Sequence, residues 1–413
     1  HQPRRKSAAD PKKRKSSFSD DFKKLGLNIH GVRLPKFEVQ DEYLELIDNP
    51  NKVNNTYDFL IALCQKGFKN LNLKRGSEEH KKYTDRIYYE LDILKELGFV
   101  DYILLVWKVI HFCNTSDIPV GLGRGSAAGS FVLYLLGVTK IDSVKYDLFF
   151  ERFVSKIRAK KKVVDGVTYL DGSLMCDIDM DVCYYKRKNV LKYLEEEFKG
   201  KTSKIRTLNT LSGKLVMKEC GKTVEDKSET EMNHVSAMIP KVFGQVKDIS
   251  EAYEEVDDFR NWCDENPRIY QTAQKIKGLV KNKGVHPSAI LLSYDNIIKS
   301  CPLELDSEKE KISSYNMDWS QMFNVKLDVL GLRTVSVVDQ ACKFIGIKVE
   351  DVDLDHESIY QNLFDLKQPQ GIFQVEARAN YEVCRKVKPK NLEELSAVLA
   401  LARPGALAFV DQY

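Results

Sequence analysis

The sequence predicts an α+β protein of more than one domain, and three stretches carry that prediction. Ser173–Val182 alternates acidic and apolar residues, placing Asp177, Asp179 and Asp181 at every second position. A β-strand sends alternate side chains to opposite faces, so all three carboxylates would project from one side. Val325–Leu332 is a second apolar strand, whose polar residues Lys326 and Asp328 share a face. From Lys36 the pattern turns helical. Tyr83, Ile87, Leu91 and Leu94 recur at helical spacing, and Tyr102–Cys113 is apolar nearly all round, as a buried helix is. With 413 residues, two or three domains are expected.

Composition bounds the function classes. A 43% hydrophobic share suffices for ordinary cores, and a formal net charge of +4 leaves any nucleic-acid affinity to local basic patches. The 9 cysteines form no CxxC pair and no Cys/His cluster, which argues against a zinc site and for a reducing compartment. The best apolar run, Tyr102–Cys113, is short for a bilayer and is broken by Lys108, so no membrane role is expected. No secretory signal opens the chain, which starts at His1 and reads as part of something longer.

Residues 1–20 carry Arg4, Arg5, Lys6, Lys12, Lys13, Arg14 and Lys15 among Ser, Ala and Pro. They read as a disordered tail: a solvated linker, a nuclear-import signal or a loose phosphate-binding arm. The first strong helix opens on Ser77 as N-cap, followed by Glu78 and Glu79, and closes on Gly98. Pro119–Ser130 is a glycine-rich turn opening a helical run at Phe131. Such a turn brings backbone N–H groups close to an anion. Arg124, Gly125 and Ser126 are the candidate phosphate ligands; a tight turn made for close packing is the alternative reading. The acidic stretch likewise has two readings. Converging carboxylates suit two Mg²⁺ ions doing phosphoryl transfer, and acids on an exposed edge strand guard against aggregation.

Further on, Val190–Phe198 should form a helix, and Lys201–Lys222 interleaves Lys204, Arg206, Lys214 and Lys218 with hydroxyl side chains. That composition suits a grip on duplex phosphates or a plain charged helix face. Met238–Ile276 is helical and largely acidic, and Lys275–Lys283 turns basic again. His286 precedes a strand at Ala289–Ser293, with a structural role weighed against an active-site one. Asp328 would be a buried acid that needs a partner or a metal. Lys326 beside it either contacts substrate phosphate or offsets the carboxylates.

Several blocks in this order resemble one family: Asp85–Leu91 running to Gly98-Phe99 and Leu105–Trp107, then Gly123–Ser130, Tyr146–Phe153 and the acidic strand, then Gly284–Pro287, Lys326–Thr334, Gly371–Glu376 and Leu401–Gly405. The family is the C-family replicative DNA polymerases of bacteria and their phages, typified by the DNA polymerase III α subunit, and the likeness runs from about Leu34 to the end. It implies a palm similar to β-type nucleotidyltransferases, a mixed sheet with flanking helices, with an inserted helical thumb and a partial helical fingers region. The segments would be a basic tail or linker at 1–35, palm at 36–200, thumb at 201–284, palm again at 285–365, and truncated fingers at 366–413. The family's metal-binding PHP domain is not represented.

The resemblance further implies that Asp177, Asp179 and Asp328 hold two Mg²⁺ ions and catalyse template-directed addition of dNTPs to a primer 3′-hydroxyl. Arg124, Gly125, Ser126, Lys326, Arg378 and Arg403 would contact nucleotide or template phosphates, and Lys204, Arg206, Lys214 and Lys218 the duplex. Lys386 and Lys388 are further phosphate candidates. Partners would be primer–template DNA, dNTPs, the remaining polymerase segments, a sliding clamp and other replisome proteins, in a bacterial cytoplasm or nucleoid or a phage-infected cell. Two departures stand out. Cys176 replaces the family's proline, and Lys160–Ser173 is an insertion with two Asp-Gly pairs that reads as a β-hairpin. A rival function is a non-catalytic DNA-binding fragment awaiting fingers from a second chain. A template-independent nucleotidyltransferase ranks last, since it leaves Gly371–Gly405 unexplained.

Overall fold

A computed structural model describes residues 30–157, 159–242, 245–354, 356–365, 369–403 and 405–413. The basic run at residues 1–20 lies outside the described residues. The chain divides into two compact units, one of His1–Thr207 with Val285–Gly346, the other of Leu208–Gly284 with Ile347–Tyr413.

After a one-turn helix at Asp41–Leu44, the first unit carries helices α1 (Thr56–Lys69), α2 (Glu78–Leu97), α3 (Val100–Thr115) and the short α4 (Phe131–Leu135). Local chemistry sets the ends of α2 as expected: Ser77 Oγ accepts the His80 N–H at 3.1 Å, and Gly98 stops the helix at φ 78°. The apolar α3 is buried along most of its length. Its Lys108 is buried too, with its ammonium paired to Glu197 of α5 (Arg187–Glu197).

The insertion is a hairpin of β1 (Lys161–Val164) and β2 (Val167–Leu170), turned by Asp165 and Gly166 at φ 50° and 76°. After it comes a six-stranded mixed sheet of β3 (Asp179–Cys183), β4 (Thr202–Thr210), β5 (Val280–Leu292), β6 (Leu303–Leu305), β7 (Lys311–Asn316) and β8 (Val325–Leu332). The order is β3-β8-β5-β4-β7-β6, with β3–β8 and β4–β7 parallel and β8–β5 and β6–β7 antiparallel. The apolar faces of β3, β5 and β8 share one core with α1 to α4.

The expected α+β class, mixed sheet, flanking helices and helical insertion are all present. Three element boundaries differ. The acidic strand starts only at Asp179, because a short turn at Gly172–Leu174 takes the preceding residues out of the sheet. Thr202–Thr210 is a sheet strand, anchored by buried Ile205. The strand expected at Ala289 starts already at Val280.

In the second unit α6 (Gly213–Glu225) and the helices Glu229–Met238, Ile249–Glu255, Asp257–Glu265 and Pro267–Ile276 enclose a core including Val216, Met217, Phe259 and Ile269. Helices Arg378–Val387 and Leu392–Leu401 carry a separate cluster with Val383 and Val398. Among the described residues, no helix is long and apolar enough to cross a membrane.

Lys108 yields a test of the core. Removing one partner of a buried ion pair strands the other charge, so Glu197→Ala should cost about 3 kcal/mol by denaturant titration. Lys108→Met, of similar length and apolar, should cost far less.

Candidate active site

Parallel pairing of β3 with β8 sets Asp179 opposite Asp328. Met180 and Val182 of β3 and Val325, Leu327 and Val329 of β8 belong to the core. Strand alternation therefore sends Asp179, Asp181, Lys326 and Asp328 to the other face. Asp177 stands just before β3 and is 66% exposed, so the expected three-carboxylate strand face is corrected to two strand positions plus a preceding one. Lys326 Nζ lies 3.0 Å from Asp328 and 3.5 Å from Asp177. The Arg124 guanidinium lies 3.7 Å from Asp179 and 3.6 Å from Asp181.

Four carboxylates thus face two cations, and the titration of the cluster reflects it. Burial, then the charge of Asp328, raises the Asp179 carboxyl above the usual carboxylate range. Burial pushes Asp181 up to about 6, with Arg124 pulling against it and Asp179 adding to it. Burial opposes the Lys326 ammonium, yet its hydrogen bond to Asp328 and the charges of Asp328 and Asp177 outweigh that and raise it. Asp181 Oδ1 is buried without a hydrogen-bond partner. Hard oxygen donors with an excess of negative charge are a donor set that fits a divalent cation such as Mg²⁺. Among the described residues no three His, Cys, Asp or Glu side chains already stand at metal-holding separation; Lys326 and Arg124 stand among the carboxylates.

The glycine turn is built onto the acidic strand. Gly121 N–H donates to Asp181 O at 2.7 Å, and a Cβ on Gly121 would sit 2.8 Å from that of Asp181. Only glycine lets the chain run this close, which is what brings Arg124 within reach of the carboxylates. Gly125, at φ 60°, then opens a 3-10 turn over Gly125–Gly129. The expected free anion site at the following helix is corrected. At α4 the buried Glu90 carboxylate accepts the Phe131 and Val132 amides at 2.9 and 3.0 Å and the Ser130 hydroxyl at 2.8 Å. A carboxylate from α2 already occupies the position a phosphate would take. Arg124, Gly125 and Ser126 remain exposed or half-buried around the turn.

A cavity of about 300 Å³ adjoins these groups, lined by Ser126, Glu151, Arg152, Ser155, Cys176 and Asp177 among others. Arg152 is the residue that reading the sequence missed. It lies inside the Tyr146–Phe153 block, but nothing in its spacing sets it apart from other exposed arginines. Cys176, in the place of the family's proline, is buried, and burial pushes its thiol up to about 12, so it stays protonated and inert.

Other candidates fall elsewhere. Lys204 and Arg206 were expected to grip a duplex, but both lie in β4 and face carboxylates. Lys204 Nζ is 2.7 Å from Glu310, and the buried Arg206 donates to Glu304 at 2.6 Å. Lys214 and Lys218 are half-buried on α6, one helical turn apart, and Lys218 also donates to Asn233 at 2.5 Å. Arg378 and Arg403 are exposed in the second unit. His286 Nδ1 accepts the Ala289 amide at 2.9 Å, a structural bond that shapes the backbone of β5.

Comparison with known proteins gives a consistent result. The family model described as the bacterial DNA polymerase III alpha NTPase domain matches residues 58–331. The one described as the bacterial DNA polymerase III alpha subunit finger domain matches residues 334–413. The chain is 30% identical over 416 residues to the DNA polymerase III subunit alpha of Aquifex aeolicus (strain VF5), covering 92% of this chain and 33% of that protein. It is 31% identical over 352 residues to the protein of that name from Staphylococcus aureus (strain Mu50), covering 83% of this chain and 31% of the relative. The chain therefore spans about a third of the length of these curated relatives.

The raised carboxyl of Asp181 predicts a pH signature. Between the unfolded value of 3.8 and the folded value of about 6 the native state binds the extra proton, so stability falls as pH rises through that window. Asp181→Asn removes this loss. Its melting temperature should exceed that of the parent by a margin that grows from pH 4 to about 6 and then levels off.

Proposed function

The chain belongs to the bacterial DNA polymerase III alpha-subunit family, and from that premise we propose that it carries the catalytic palm of a DNA-directed DNA polymerase. It adds dNTPs to a primer 3′-hydroxyl as directed by a template. The observation that carries this reading is the in-register pairing of Asp179 with Asp328, with Asp177 held beside them through Lys326.

Two Mg²⁺ ions bound by Asp177, Asp179 and Asp328 would supply the charge that acidifies the primer hydroxyl and offsets the leaving pyrophosphate. The chain's own residues position the substrates. Lys326 holds Asp177 and Asp328 against mutual repulsion until the site is loaded. Arg124 can turn from the carboxylates to the triphosphate, joined by the Gly125 amide, the Ser126 hydroxyl and Arg152 from across the cavity. Lys214 and Lys218 on α6 hold duplex phosphates, and Arg378 and Arg403 hold template or nucleotide phosphates. Base pairing supplies sequence selection, since phosphate contacts carry no sequence information. The remaining polymerase segments, a sliding clamp and other replisome proteins are the expected partners, in the cytoplasm of a bacterium or of a phage-infected cell.

Primer extension on a primed template with dNTPs and Mg²⁺ tests the reading. Asp177→Ala and Asp328→Ala should each lose at least ~10³-fold in rate, and extension that survives in both sinks the acidic centre. A chain that binds duplex but extends only once the missing polymerase segments are supplied in trans is the non-catalytic module instead. For the duplex grip, Lys214→Gln should lower the slope of log affinity against log salt by about 1. Lys204→Gln should leave that slope unchanged and reduce only the melting temperature.

A further inference from the structure

Two turns line the cavity, and neither is a strand of the sheet. Gly125–Gly129 brings Ser126, and Phe150–Arg152 brings Glu151 and Arg152. Both are tied to the same point on α2. The Arg86 Nη2 donates to Gly129 O at 2.7 Å, at the end of the first turn, and to Leu148 O at 2.8 Å, just before the second. Its Nε donates to Glu90 at 2.6 Å. Glu90 in turn holds the amides that follow the first turn, Phe131 and Val132, and the Ser130 hydroxyl between them and Gly129. Beside it, the Tyr89 hydroxyl donates to Glu151 of the second turn. The two segments also meet backbone to backbone, because a Cβ on Gly129 would lie 2.8 Å from Phe149 O.

We propose that Arg86 is a positioning residue for the nucleotide pocket, holding the Ser126 turn and the Arg152 turn at one fixed spacing so that both reach the same triphosphate. This rests on the polymerase reading and deepens it. Guanidinium chemistry is what the position requires. A planar fork can satisfy two carbonyls and a carboxylate at once, whereas a lysine ammonium is a single point at the end of a flexible stem. The Arg86 side chain is 20% exposed and Glu90 fully buried, so solvent offers little to replace the lost bonds. A residue acting here moves substrate affinity more than the chemical step, because Arg86 holds the segments that carry Ser126 and Arg152, while Asp179 and Asp328 are set by the pairing of β3 with β8.

The test uses the full chain with Arg86→Lys and Tyr89→Phe and three readouts: melting temperature, hydrogen–deuterium exchange, and KM and kcat for dNTP in primer extension. With Arg86→Lys, peptides spanning residues 125–133 and 148–153 should lose protection together while β3 and β8 keep theirs. KM should rise about tenfold with kcat within about threefold. Tyr89→Phe removes one exposed contact and should loosen residues 148–153 alone, with a smaller rise in KM; if Arg86→Lys does not fold, Arg86→Gln, which keeps a planar donor but cannot span both carbonyls, is read by the same criteria. Protection lost in one turn only on Arg86→Lys, or lost throughout the sheet, overturns the proposal. So does an unchanged KM with both turns loosened. If the parent chain extends no primer, the polymerase reading fails on that result, while the exchange pattern still decides whether Arg86 couples the two turns.

Discussion

Repulsion between carboxylates on adjacent strands is the constraint around which the first unit is arranged. Asp179 and Asp328 face each other in a parallel ladder, with Asp181 and Asp177 close by, in surroundings only partly open to water. Like charges at that range cost several times more than they would in bulk solvent. What holds them there is the opposite face of the same strands, where Met180, Val182, Leu327 and Val329 are locked into the core shared with α1 to α4. The apolar face fixes the register, and the register imposes the acidic face. Arg124 and Lys326 then lower the cost without removing it, and the carboxyls of Asp179 and Asp181 stay raised, first by burial and further by their acidic neighbours.

This requirement reaches into the surrounding loops. Arg124 can reach the acids only because Gly121 lies against Asp181 without a side chain. The turn bearing Gly125 and Ser126 is then held from behind by Arg86 and Glu90 of α2. The Glu90 carboxylate sits where amides at a helix start would receive a phosphate, so it acts as a built-in anion that organises the loop instead of leaving it open to a ligand. The open space lies to the side of the turn instead, in the cavity lined by Ser126 and Arg152.

Charge that looks available in the sequence is partly consumed in the fold. Lys204 and Arg206 belong by composition with Lys214 and Lys218, yet the first two sit in a strand and meet Glu310 and Glu304, about a hundred residues later. Only the lysines on α6 keep the half-exposed helical setting that a phosphate grip requires. The buried Lys108 follows the same rule: it interrupts an apolar helix in the sequence and is neutralised by Glu197 in space.

Sequence alone determined what short-range chemistry controls. The caps of α2 at Ser77 and Gly98, the Asp-Gly turn of the hairpin, the strand of Asp328 and the identity of the acidic residues were all legible, because each depends on neighbours a few positions away. Ordered blocks of motif were enough to point to the family. Tertiary structure decided which charges are spent and which are free: Glu90 on the α4 amides, Arg86 across two turns, Arg206 on Glu304, and Arg152 beside Ser126. Those pairings join residues about 40 to 100 positions apart or turn on a cavity wall, and hydrogen bonding and burial at that range leave no periodicity in the chain to read.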